Sequence, residues 1–232
     1  MKFTDHNSPE KSIINTAFKA IPYMDIWISS IVEGYIYSKK ELDNLAYREE
    51  CILRYGKREG KCKHWYKNKK TIIQCFYKDG KLEGESKKWI KNGNYLYSQS
   101  YYKEDKKDGE YKVWFLDGKL WILEYYKDGK LEGESKRFYE NGQLQCQENY
   151  KDGKEEGEFK WWYDNGQLQC QEYYKEGKLE GEYKRWDVNG QLEVQCYYKE
   201  GKLEGEYKKW FPNGNLVEHM IYGNGNIVQE LI

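Results

Sequence analysis

A glycine recurs along this chain at Gly60, Gly84, Gly109, Gly133, Gly157, Gly181 and Gly205, spaced by 24 residues with one interval of 25. Lysine stands three places after each of them, at Lys63, Lys87, Lys112, Lys136, Lys160, Lys184 and Lys208. An aromatic residue stands five places after, at Trp65, Trp89, Trp114, Phe138, Trp162, Trp186 and Trp210. A short unit repeated at a fixed period cannot bury a core alone and must be stabilised by stacking on its neighbours. The repeat therefore decides the architecture before any helix or strand is assigned.

Two turn signals divide each unit. Asn-Gly occurs at Asn92-Gly93, Asn141-Gly142, Asn165-Gly166, Asn189-Gly190 and Asn213-Gly214, with Asp117-Gly118 in the third copy. The other end closes with Asp79-Gly80, Asp128-Gly129, Asp152-Gly153, Glu176-Gly177 and Glu200-Gly201. Asn, Asp and Gly accept the positive φ that tight hairpins need. Runs as short as Glu182 to Val188 and Leu192 to Tyr198 make poor helices when glycine bounds them, but they suit strands. The expectation is an all-β, elongated antiparallel β-meander of about seven 24-residue hairpin repeats. The one-residue excess in the second copy predicts a β-bulge at Ser98, Gln99 or Ser100, since a bulge absorbs an insertion without inverting later side chains.

The ends depart from the repeat. Residues 8–21 offer Ser8 as an N-cap, Pro9 at the first helical position and Ile13, Ile14, Ala17, Phe18 and Ile21 on one face, with Pro22 as a stop. Residues 1–50 are expected to form a small N-terminal cap with a helix and a degenerate first repeat around Gly34; an independent adaptor-like domain is the alternative. Residues 51–222 form the array, and 223–232 a truncated half repeat. Its last residues, Ile227, Val228, Leu231 and Ile232, are more aliphatic than any interior strand. An open apolar edge invites another strand, so they are candidate partner-binding residues, for a second copy or another protein. The alternative is that residues 227–232 fold back as a cap.

Composition narrows the function. Lys and Arg number 39 and so do Asp and Glu, so no surplus of positive charge exists for nucleic acid. With 9 Trp, 24 Tyr and 7 Phe, 17% of the chain is aromatic, far too much for a solvated unstructured polymer. No apolar run approaches a membrane span, and the start shows no signal-peptide core. A cytoplasmic, intracellular setting is expected.

The unit Gly-Glu-x-Lys-x-Trp-x-x-Asn-Gly-x-Leu, as in Gly181 to Leu192, resembles the variant form of the MORN repeat (membrane occupation and recognition nexus). That form is found in bacterial antitoxin-like proteins and in multicopy proteins of large DNA viruses of amoebae. The resemblance covers roughly residues 50–230. It implies an elongated, non-catalytic, antiparallel β array used for protein association or, in the better-known MORN proteins, for membrane contact. The standard unit is Tyr-x-Gly-x-Trp-x-x-Gly, and this departure from it argues against carrying lipid binding over.

Alternation along a strand places Glu182, Lys184 and Trp186 on one face, as it does Glu85, Lys87 and Trp89. The adjacent carboxylates are expected to neutralise the lysine stripe, which could otherwise grip a polyanion. The aromatic column is expected to form a ladder holding the sheet together, with an exposed carbohydrate-stacking track as the alternative. Cys146 and Cys170 are one repeat apart in equivalent places, too far to bond, and only Cys51 and Cys62 could meet across a turn. His6, His64 and His219 are far apart, and no zinc-type spacing occurs, so neither a metal nor a cofactor is expected. Glutamates in equivalent solvated surroundings cannot divide into acid and base, and no nucleophile or phosphate-loop motif occurs; an enzyme is not expected. The function expected is a protein-binding scaffold, a structural or assembly component of a large DNA virus. An antitoxin-like neutraliser of one enzyme and a peripheral membrane tether are the alternatives.

Overall fold

In the computed structural model the backbone is described at residues 31–32, 35–42, 47–66, 71–90 and 93–232, and the side chains among these from residue 49 onward. The helix expected over residues 8–21 and the glycine at 34 lie outside the described residues. Everything described is strand or turn, and all strands join one antiparallel sheet. Each strand pairs with the one before it and the one after it, from Tyr35–Leu42 through Tyr47–Arg54, Lys57–Tyr66 and Thr71–Lys78 to Leu216–Gly223 and Asn226–Glu230. This is the expected meander, an open single sheet. It extends upstream of residue 51, since strand Tyr47–Arg54 spans that point.

The two turns of each unit differ. At the Asp/Glu-Gly end both central residues have positive φ, as in Asp79 (52°) with Gly80 (86°) and Glu176 (50°) with Gly177 (82°). This is the two-residue hairpin turn whose twist matches the strands. At the Asn-Gly end only the glycine has positive φ. There Tyr139 N–H donates to Gln143 O and Gly142 N–H to Tyr139 O, while Asn141 Oδ1 accepts from Gln143 N–H. Asparagine serves here as a side-chain acceptor, not as a left-handed residue.

The seven-fold glycine column does not close turns. Gly84, Gly133, Gly157 and Gly181 begin strands, each set off by a single glutamate (Glu83, Glu132, Glu156, Glu180) from a two-residue segment such as Lys178–Leu179. Leu179 faces Tyr174, but Lys184 faces Gln171, so the glutamate-glycine pair is a bulge inside a strand. Each column glycine has positive φ, from 69° to 113°, which is what a bulge of this kind requires.

The extra residue of the second copy is also displaced from its expected place. Ser98, Gln99 and Ser100 pair in unbroken register with Lys88, Lys87 and Ser86. Trp89 faces Leu96, one residue further on than Trp162 faces Leu168. The insertion therefore sits between Gly93 and Leu96, where a turn absorbs it without disturbing the ladder.

One face of the sheet is curled over small residues. Its fully buried side chains are no larger than Val113, and include Cys51, Cys62, Ser135, Cys146 and Cys196. Rings close over them in pairs: Tyr111 with Tyr126, Tyr150 with Phe159, Phe159 with Tyr174 at 4.7 Å, Tyr183 with Tyr198, and Tyr207 with Tyr222. Burial pushes the thiols of Cys75, Cys146 and Cys196 up to about 11 and that of Cys170 to about 12. These are packing groups held protonated. Cys51 and Cys62 form a disulfide across the hairpin, Cα to Cα 4.4 Å.

Candidate interaction surface

The opposite face repeats a polar box. Glutamate follows six of the seven column glycines, all but Gly60, and pairs with the lysine two residues on: Lys87–Glu85 at 2.8 Å, Lys112–Glu110, Lys136–Glu134, Lys160–Glu158, Lys184–Glu182 and Lys208–Glu206 at 2.6 or 2.7 Å. The neighbouring strand completes the box. Gln171 Nε2 donates to Glu158 Oε1 at 2.6 Å and Tyr173 hydroxyl to the same oxygen at 2.9 Å. Gln195 and Tyr197 do the same at Glu182, and Gln99 and Tyr101 at Glu85. Burial opposes ionisation of Glu158 and Glu182, but the lysine, glutamine and tyrosine hydrogen bonds outweigh it and hold both carboxyls below their ordinary value. The lysine stripe is thus spent on its own carboxylates, as the alternation suggests.

These boxes fix aromatic surface in the open. Tyr125, Tyr173 and Tyr197 remain 38%, 37% and 42% exposed, and each hydroxyl is tied to a glutamate. A tyrosine held this way offers contact area with little rotamer freedom left to lose on binding. No second layer covers this face among the described residues.

Members of the aromatic column, Trp65, Trp89, Trp114, Phe138, Trp162, Trp186 and Trp210, are half-buried and lie at or near strand ends, those from Trp89 onward leading into the Asn-Gly or Asp-Gly turns. Equivalent members are two strands apart, about 9.6 Å, too wide for direct ring stacking at about 4.5–7 Å. The ring contacts run instead on the curled face. What the column supplies is backbone: Tyr139 hydroxyl donates to Trp162 O at 2.7 Å and Tyr163 hydroxyl to Trp186 O at 3.1 Å. The candidate edge residues lie beside Leu216–Gly223 as the next strand, with Leu231 N–H donating to His219 O. Ile227, Val228, Leu231 and Ile232 are all exposed, Val228 most at 69%.

A further row escaped the sequence analysis. The residue before each column glycine is acidic, and its carboxylate accepts a turn N–H from the next unit: Asp79 N–H to Glu59, Asp128 to Asp108, Asp152 to Glu132, Glu176 to Glu156, Glu200 to Glu180 and Asn224 to Glu204. The following glycine N–H donates to a carbonyl of the preceding unit, as Gly177 does to Glu155 and Gly201 to Leu179. At the opposite end Asn141 and Asn165 side chains donate to Asp164 O and Val188 O. Turns are thus stitched to bulges along one margin of the sheet and to turns along the other.

No curated protein matches the chain. A family model described as MORN repeat variant matches residues 58–79, 107–128, 131–152, 155–178, 179–200 and 203–224, more than half of the sequence. The one copy it passes over, between 79 and 107, carries the insertion after Gly93 and has Glu104-Asp105 where its neighbours have Asp-Gly or Glu-Gly. With the repeat period, the paired turns and the matched segments in agreement, this chain belongs to the MORN repeat variant family.

Proposed function

We propose that this chain is a non-catalytic scaffold that binds other proteins across its open sheet, working inside a cell in the assembly or the particle of a large DNA virus. MORN repeats are protein- or membrane-binding modules without catalytic chemistry. The observation that carries protein rather than lipid binding is the polar face itself. Six of its seven column lysines lie within 2.8 Å of a glutamate, while its tyrosines are held outward, and large pre-ordered aromatic area is what protein partners use. The viral setting rests on the family resemblance alone, and the intracellular one on four buried thiols, Cys75, Cys146, Cys170 and Cys196, left free against the one disulfide, Cys51–Cys62.

Cross-linking and purification of the full chain from its native source tests this reading. Recovery at many copies per assembly, with Tyr173→Ala and Tyr197→Ala together weakening association at least tenfold, is the expected result. Recovery of one enzyme at equal stoichiometry would replace the scaffold with an antitoxin-like neutraliser. Flotation with anionic liposomes in place of any protein partner would replace it with a membrane tether.

A further inference from the structure

Two cysteine sulfurs and a carboxylate converge on the curled face near residue 50, with an imidazole beside the carboxylate. Glu49 and Cys51 are two apart on strand Tyr47–Arg54, and Cys62 and His64 are two apart on strand Lys57–Tyr66. Residues two apart share a face, and Glu49 faces His64 directly. The four therefore form a square, with Cys51 beside Cys62 and Glu49 beside His64. Ligand atoms of Glu49, Cys51 and Cys62 lie within 4.8 Å of one another, and His64 Nδ1 lies 3.8 Å from Glu49 Oε2. All four are buried, none more than 7% exposed.

A disulfide alone does not account for this company. Glu49 Oε1 stands 3.0 Å from Cys51 Sγ, a sulfur that carries no proton while it is bonded to Cys62. A buried carboxylate facing an apolar sulfur gains nothing from it. Sulfur, imidazole and carboxylate at four corners are instead the donor set that zinc takes in tetrahedral sites. Arg58 is bound to both oxygens of Glu49, at 2.8 and 3.0 Å. Two thiolates and one carboxylate would balance Zn²⁺ plus this guanidinium, leaving the buried cluster neutral. A cavity of about 320 Å³, lined by His64, Arg58, Cys75 and Tyr77 among others, opens beside the imidazole.

We propose that, once its disulfide is reduced, this chain binds one Zn²⁺ through Cys51, Cys62, His64 and Glu49. A dithiol or phosphine reductant supplies two electrons, the S–S bond breaks, and each sulfur takes one proton. Zinc then displaces both protons to solvent and occupies the square, and the metal and the disulfide exclude each other. Cys75, which faces Cys62 from the third strand, is a neighbour and not a ligand.

The test is cobalt and zinc titration of the full-length chain, reduced with a phosphine and kept anaerobic. One equivalent of Co²⁺ should give thiolate-to-metal absorption in the near ultraviolet with tetrahedral bands in the visible, and Zn²⁺ should displace it. The oxidised chain should give neither. Cys51→Ser, Cys62→Ser and His64→Ala should each weaken binding at least tenfold, whereas Cys75→Ser should leave it within twofold. Glu49→Gln, in which one acceptor oxygen remains, should weaken it about tenfold. Absence of thiolate absorption in the reduced chain, or loss of it on Cys75→Ser with His64→Ala unaffected, overturns the proposal. Alkylation mapping of the unmodified sequence needs no variant to fold: zinc should protect Cys51 and Cys62 at least tenfold, and equal labelling with and without zinc contradicts the site.

Discussion

Gly133 has nothing within 4 Å of the point where a Cβ would stand, yet its φ is +86°. Space is not what requires glycine there; the backbone conformation is. Gly133→Ala should lower stability by about 1–2 kcal/mol, the usual strain of an L-residue in the left-handed region, as read from the urea midpoint. The converse holds at Glu176, which sits at φ +50° with its side chain free of any ladder bond. Glu176→Asn should raise stability by about 0.5–1 kcal/mol, because asparagine visits this region more readily, and an unchanged or lower midpoint would remove strain as the reason. The glycine column was legible from its spacing, but its role was not. Leu-Glu-Gly and Asp-Gly look alike as turn signals, and only the register shows that the first is a bulge within a strand while the second closes a hairpin.

At the scale of the element, the unit is joined to the next through its turns as well as through its strands. Glu156→Ala removes the acceptor of the Glu176 N–H, and Tyr163→Phe removes the donor to Trp186 O. Each should cost about 0.5–1.5 kcal/mol, and in the first variant the Glu176 amide should exchange with solvent faster while its counterpart at Glu200 does not. Trp162, half-buried, should cost about 1–3 kcal/mol as Trp162→Ala, between a sealed core ring and an exposed one. Strand order and most turn positions were legible because glycine, asparagine and aspartate mark them chemically; the turns at Tyr55-Gly56 and Glu104-Asp105, which lack the usual pair, were not. The stitching was not, since it joins residues about 20 places apart whose only local sign is an acidic residue before each glycine. The square of Glu49, Cys51, Cys62 and His64 was missed for a similar reason. A search for zinc spacing within one segment overlooks Glu-x-Cys facing Cys-x-His across a hairpin, although strand alternation around the Tyr55-Gly56 turn would have placed all four on one face.

For the molecule as a whole, the two faces titrate at opposite ends of the pH scale. Glu158 and Glu182 lie below the ordinary glutamate value of 4.5 when folded. Their contribution is therefore present above about pH 4.5 and lost as pH falls through the lower folded values; it should shrink in high salt, since both boxes face solvent. The curled face works the other way. Cys75, Cys146 and Cys196 rise from 9.0 to about 11 in the fold, so stability is fully present below pH 9 and declines as pH climbs toward 11 and the unfolded chain alone releases its protons. The urea midpoint should be flat between about pH 5 and pH 9 and fall on both sides, the acid limb sensitive to salt and the alkaline limb not. All of this depends on the units forming one open array instead of closing on themselves. Seven units of two strands, at about 4.8 Å per strand, span roughly 65–70 Å, whereas a globule of this length has a radius of gyration of about 17 Å. Small-angle X-ray scattering of the monomeric fraction decides between them: the open meander predicts a radius of gyration above about 20 Å with a long-tailed distance distribution, and a compact, symmetric distribution near about 17 Å would contradict it.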